Sequence, residues 1–346
     1  MDPLSIINFY RKSLKMLIVI IHRVVVVRRG CISLSTLLFV IFAATTVTPE
    51  YSYGEFSVSL ADKGVVVVGY LAFSFQGQIL TWGYPGWQWD PYCSQQSEWI
   101  METRNDVVTG RANCSYGFFL WRIKAWPASD CVILEATLEA QTDIAFDDIA
   151  WVLYLPSERF AGYSATALRT DGTTQTVTFR VEQVPGQAGL GPGATGAGWV
   201  VPFGEGVGVA TTIFTDAPTA PYLDITDDRV WGGTTYSVRQ ILFPGMDNLM
   251  LKAGSSFTFY VYIHPYNNMR ELEVARQRLL SIFFLLGQGV KASEIRDYIA
   301  SGRLEEFMSQ LQAEQLKLRL TYVAAAALVV SVAVAATLRL RKKVRT

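Results

Sequence analysis

Through the middle of the chain, apolar and polar residues alternate with a period of two. Phe56 to Leu60 (FSVSL), Thr174 to Val181 (TQTVTFRV), Thr235 to Leu242 and Phe257 to Ile263 (FTFYVYI) all follow it. That period puts every second side chain on one face of an extended strand. Val65 to Val68 and Tyr70 to Phe75 read as further strands, buried or half-buried. Asp171-Gly172, between Ala165–Arg169 and Thr174–Val181, predicts a hairpin whose two central residues take positive φ. Between Tyr51 and Tyr266 no stretch keeps an apolar period of 3.6 residues. Many short strands punctuated by Gly and Pro predict a mainly β protein, an antiparallel β-sandwich over residues 50–266.

The pattern changes after Pro265. Asn268 to Leu286, Ser293 to Ala300 and Arg303 to Leu320 read as helices, with Ser293 as the cap of the second and Gly302 before the third. Leu304, Phe307, Leu311 and Leu318 recur at helical spacing. They predict either packing against the sandwich or a stalk that joins copies into a homo-oligomer. Ile282 to Leu286 (IFFLL) is apolar enough to rest in a headgroup layer. Residues 267–319 thus form a juxtamembrane helical region.

Leu320 to Leu338 is uncharged and rich in Ala, Val and Leu; Arg339, Arg341, Lys342, Lys343 and Arg345 follow. At about 1.5 Å per residue this run reaches roughly 28 Å, enough to cross a bilayer core. The basic residues at 339–346 predict a cytoplasmic tail. Cys31 to Val47 is a second apolar run, preceded by Arg23, Arg28 and Arg29. Residues 31–48 therefore read as a cleaved signal or an uncleaved anchor, after a basic cytoplasmic segment, 1–30, in which either Met1 or Met16 is the start. Residues of about 48–319 are expected outside the membrane.

The charge distribution fits that geography. The chain has 30 basic and 30 acidic residues, but residues 1–30 and 339–346 are almost purely basic, which leaves 19 basic against 29 acidic residues between them. An acidic exterior excludes a nucleic-acid partner, since phosphate binding needs clustered positive charge. The basic ends suit anionic lipid headgroups.

Of four cysteines, Cys31 lies in the first apolar run, and Cys93, Cys114 and Cys131 are expected outside, where disulfides persist. Cys93 with Cys114 is the preferred pair, leaving Cys131 unpaired. Asn113-Cys-Ser is the one N-glycosylation sequon and makes Asn113 a candidate.

Trp82, Tyr84, Trp87, Trp89, Tyr92 and Trp99 crowd one stretch, with Asp90 and Glu98 among them. Indole faces stack on the C–H face of a sugar ring and carboxylates accept from its hydroxyls. Trp82, Tyr84, Trp87, Trp89, Asp90 and Trp99 are therefore the candidate ligand-binding residues; the alternative is that these rings fill the core or touch protein or membrane. Asp147-Asp148 and Asp224/Asp227/Asp228 are carboxylate groups of the kind that serve glycoside hydrolysis or calcium, but adjacent Asp residues also form turns. Gly191 to Gly196 spells GxGxxG, yet Gly198-Trp-Val-Val-Pro follows instead of a helix, so it reads as a Gly-rich loop and not a nucleotide site. Of two histidines, His264 ends a strand and is expected to face solvent or bond backbone. No catalytic residue, metal ligand or cofactor is assigned.

Phe257-Thr-Phe-Tyr-Val-Tyr-Ile-His-Pro265, placed before a helix, resembles the last strand of galactose-mutarotase-like supersandwich domains, many of which handle sugars. The resemblance covers about ten residues and carries no functional residue. The sequence thus predicts a membrane-anchored extracytoplasmic sandwich that binds glycan, an envelope layer or a partner protein. The alternatives are an anchored enzyme on envelope polysaccharide, using Asp90, Glu98, Asp147 or Asp148, and an accessory subunit of a membrane complex.

Overall fold

The computed structural model describes residues 49–71, 73–86, 88, 98–102, 106–217, 219–243, 248–311, 313, 317 and 321. The apolar run at 31–48 and all of the span at 320–338 except Thr321 lie outside them. Among the described residues no helix is long and apolar enough to cross a membrane.

Two antiparallel sheets make the body. In spatial order the first holds β1 (Glu50–Tyr53), β2 (Phe56–Leu60), β3 (Val66–Tyr70), β4 (Phe73–Gly83), β9 (Ile144–Pro156), β16 (Thr235–Leu242), β15 (Tyr222–Asp227) and β12 (Gly189–Thr195), with β17 (Leu249–Leu251) also on β9. The second runs β11 (Thr174–Thr178), β10 (Ser164–Leu168), β13 (Gly198–Gly204), β14 (Val207–Phe214), β18 (Ser256–Tyr266), β8 (Val132–Ala140), β7 (Gly117–Pro127), β6 (Val107–Cys114) and β5 (Glu98–Glu102). The antiparallel sandwich read from the period-two pattern is what forms.

Local outcomes differ in instructive ways. The hairpin at Asp171-Gly172 is present, but only Gly172 has positive φ (85°). Arg169 and Thr173 close a three-residue loop in which Gly172 N donates to Arg169 O, a type I turn followed by a left-handed residue. Residues 66–75 divide at Leu71, not at Gly69. The glycine-rich segment is not a loop: β12 pairs with β15 through two irregular steps at the sheet edge, where Pro and Gly cost least.

The main core lies between the sheets. Phe56, Val58, Phe119, Trp151, Leu153, Trp199, Ile213, Val238 and Phe259 are fully or almost fully buried in it. Its indoles are satisfied: Trp151 Nε1 donates to Thr211 Oγ1 at 2.9 Å and Trp199 Nε1 to Arg239 O at 3.0 Å.

The outer face of the second sheet is covered by helices. A short turn of helix, α1 (Ser157–Phe160), sits at a strand end, whereas α2 (Met269–Gly287) and α3 (Ala292–Ala300) lie on that sheet. Asn268 Oδ1 accepts from Glu271 N, and Glu271 in turn accepts from Asn267 N, a reciprocal cap. α3 starts at Ala292, whose N–H donates to Asp216 Oδ1 at 2.8 Å, so Asp216, not Ser293, caps it. Ile282, Phe283, Leu285 and Leu286 are buried against the sheet, which removes them from a headgroup layer. Residues 304–311 are helical, and Leu304, Phe307 and Leu311 join this second core; Phe307 stacks on Tyr298 at 4.0 Å. The first sheet's outer face has no such helical layer among the described residues.

Candidate functional site

Register places the residues of that outer face in rows. Gln76, Tyr154, Ser237 and Thr226 are cross-strand neighbours on β4, β9, β16 and β15; the next row is Gln78, Val152, Arg239 and Asp224; the next is Leu80, Ala150, Ile241 and Tyr222. Trp82 begins a fourth row, opposite Asp148. Period two sends these residues away from the main core. Leu80, Ala150, Val152 and Ile241 make a small buried apolar floor, with Trp82, Tyr154 and Tyr222 packed against it.

A groove of about 460 Å3 opens on this face, lined by Leu80, Trp82, Val152, Tyr154, Thr226, Asp228, Trp231, Ser237 and Arg239. Trp231 ends a single 3-10 turn, Asp228–Trp231, that follows β15. The Arg229 guanidinium holds that turn through four bonds. Asp227 accepts from Arg229 Nε (2.8 Å) and Nη2 (2.7 Å), and Arg229 also donates to the carbonyls of Arg180 and Val181. The Arg229 guanidinium keeps the Asp227 carboxyl below the usual carboxylate range. Gly232, at φ 84°, closes the turn in a conformation that disfavours side chains. Trp231 is left 65% exposed, a large ring that no core packing requires there.

The polar wall is pre-set. Asp228 accepts from the hydroxyls of Thr226 (3.1 Å), Thr235 (2.8 Å) and Ser237. Arg239 is ion-paired with Asp224, and its Nε is buried with no hydrogen-bond partner among the described residues. A carboxylate has about four acceptor sites and a guanidinium five donors, so both retain capacity for ligand. Burial pushes the Tyr154 phenol up, Asp228 adds to the rise and Arg239 opposes it, so the phenol is a neutral donor and acceptor. With one ion pair and one further carboxylate, the groove carries a net negative charge.

Of the residues nominated from sequence, Trp82 lines the groove. Tyr84, just beyond β4, is 44% exposed. Trp99 belongs to β5 at the edge of the other sheet, so the aromatic block from Trp82 to Trp99 is divided between two sheets. Trp87, Trp89, Asp90 and Cys93 lie outside the described residues. Asn113 is exposed on β6. Cys114 is buried and disulfide-bonded, and Cys131 is a free, buried thiol. Asp147 and Asp148 are both buried within β9. The acidic trio separates: Asp224 pairs with Arg239, Asp227 with Arg229, and Asp228 takes hydroxyls. Sequence reading missed Tyr154, Ser237 and Arg239, whose sole signal was their alternating outward position on β9 and β16, and Trp231, which sits on a 3-10 turn and shows no such alternation.

His264 is neither solvent-facing nor bonded to backbone. It is buried on β18 and shares a 2.6 Å hydrogen bond between Nδ1 and the Tyr262 hydroxyl. Asp130, Cys131 and His264 offer ligand atoms within 4.8 Å of one another. A cation already serves them: Arg278 bonds Asp130 at 2.7 Å, Glu305 at 2.9 Å and the Cys131 sulfur at 3.8 Å. Burial pushes the Cys131 thiol up, which disfavours the thiolate a metal needs. The cluster reads as a polar tie between α2, β8, β18 and the helix at 304–311.

No protein-family model matches the chain, and no curated protein does. Among solved structures, a galactose mutarotase-like protein from Lactobacillus casei matches at TM-score 0.39 and 12% identity, over 63% of this chain and 99% of that one. A galactose mutarotase related enzyme from Lactobacillus acidophilus matches at TM-score 0.37 and 9% identity, over 64% and 98%. A GH36 α-galactosidase from Geobacillus stearothermophilus matches at TM-score 0.36 and 12% identity, over 68% of this chain and 42% of that one.

Proposed function

We propose that this chain is a membrane-anchored, glycan-binding protein of the cell envelope, and that the outer face of the first sheet is its binding surface. The observation that supports this is the groove itself. Trp82, Tyr154 and Trp231 supply ring faces beside hydroxyls, a carboxylate and a guanidinium that already hold fixed positions. A pyranose has an apolar C–H face and a rim of hydroxyls, so it needs that combination and little else. Tyr84, with Trp87 and Trp89 after it, belongs to the same proposal. The anchor rests on Leu320 to Leu338 and the basic cluster behind it.

The test uses the full chain in detergent, applied to immobilised envelope polysaccharide. Wild type is retained, and Trp82→Ala/Trp231→Ala weakens retention at least tenfold while the melting temperature stays nearly unchanged. A folded double variant that binds as well as wild type, or a wild type that is never retained, refutes the reading.

A further inference from the structure

The shape of the groove says more about its ligand than its chemistry does. Trp82 stands six residues along β4 from Gln76, whose row contains Tyr154, Ser237 and Thr226; Asp228 and Trp231 lie beyond that row. At about 3.4 Å per residue, six residues are roughly 20 Å along the strands. From β4 to β15 there are three inter-strand steps of about 4.8 Å, so the lining crosses roughly 14 Å of sheet. The diagonal from Trp82 to the Trp231 turn is therefore about 25 Å. A volume of about 460 Å3 drawn out over that diagonal is a narrow trough and not a socket.

Its floor is graded. Leu80 lies in the row towards the Trp82 end, Val152 and Arg239 share the middle row, and Thr226, Ser237 and Asp228 lie towards the Trp231 end. By that backbone spacing the two tryptophans stand at opposite ends of the lining, too far apart to sandwich one ring. Charge limits the ligand as well: Asp224 neutralises Arg239, and Asp228 remains as an unbalanced carboxylate. An anionic chain is repelled there, and a neutral one is not.

We propose that the trough holds an internal segment of an uncharged polysaccharide, several sugar units long, laid diagonally across β4, β9, β16 and β15 with Trp82 and Trp231 as its two stacking platforms. This rests on the glycan reading above and specifies the ligand's length and charge. Affinity then grows with each unit until both platforms are covered.

The experiment measures affinity of the full chain for partial hydrolysates of envelope polysaccharide from cells that express it, separated by size and into neutral and acidic fractions. Neutral fractions should gain at least tenfold in affinity from single sugars to four units or more and then level off. Trp231→Ala, at a 65% exposed position that folding does not need, should cut affinity for the long fractions tenfold and leave the shortest ones within twofold. Trp82→Ala should do the same from the other end. Single sugars that bind as tightly as long fractions overturn the chain-length inference and leave glycan binding intact. Tighter binding of acidic fractions overturns the charge assignment. No binding at any length overturns both this inference and the proposed function.

Discussion

Acid should loosen the tie between the helices and the sandwich, and His264 sets the pH at which it does. His264 is 1% exposed, and its pKa is lowered from 6.5 to about 4. Burial is the main cause; Arg278 lowers it further, and Asp130, Glu271 and Glu305 pull it back up. Its folded pKa lies below its unfolded one, so as pH falls under about 6.5 the unfolded chain takes up a proton that the folded chain refuses. Stability is therefore lost between about pH 6.5 and 4. With those two values, proton linkage gives a loss of about 2 kcal/mol at pH 5 and about 3 kcal/mol at pH 4. Asp130 acts in the same direction at lower pH. Burial pushes its carboxyl up, but the Arg278 bond and charge outweigh that and hold it below the usual range, so its contribution disappears only as that carboxyl protonates. Urea unfolding of the full chain in non-ionic detergent, followed by tryptophan fluorescence at pH 7, 6 and 5, measures the loss. His264→Gln keeps a partner for the Tyr262 hydroxyl and does not titrate, so the variant removes the His264 share alone. Wild type should lose about 2 kcal/mol more than the variant between pH 7 and pH 5. A difference between the two that stays flat with pH refutes the reasoning.

Two substitutions probe the packing that supports the groove. A Cβ on Gly77 would stand 2.2 Å from the Trp151 ring, which is fully buried and donates to Thr211. Gly77→Ala should therefore cost about 1–3 kcal/mol of overpacking in urea midpoint; an unchanged midpoint would show the ring can step aside. Gln240 is fully buried on the inner face of β16, and among the described residues neither its amide nitrogen nor its oxygen has a hydrogen-bond partner. Gln240→Met, of similar length, should raise stability by about 1 kcal/mol in the same assay, and a drop would contradict the assignment of that amide as unpaired.

By itself the sequence determined the antiparallel sandwich, the helices after Pro265 and the contrast between an acidic middle and basic ends. These are local or compositional properties: a period of two fixes which side chains share a face, and a single turn residue such as Gly172 fixes where a hairpin closes. It also marked Trp82. It did not reveal that β4 lies beside β9, and β9 beside β16, although they are far apart along the chain. That order comes from burying both sheets' inner faces at once, and no window of sequence contains it. Only the tertiary structure therefore brought Trp82 onto one surface with Tyr154, Asp228, Trp231 and Arg239, and sent Trp99 to the other sheet. The same holds for His264. Its strand-end position pointed to solvent, but α2 and the helix at 304–311 close over it and supply Arg278 and Glu305. Alternation tells which way a residue points, whereas the partner it meets depends on which elements pack there.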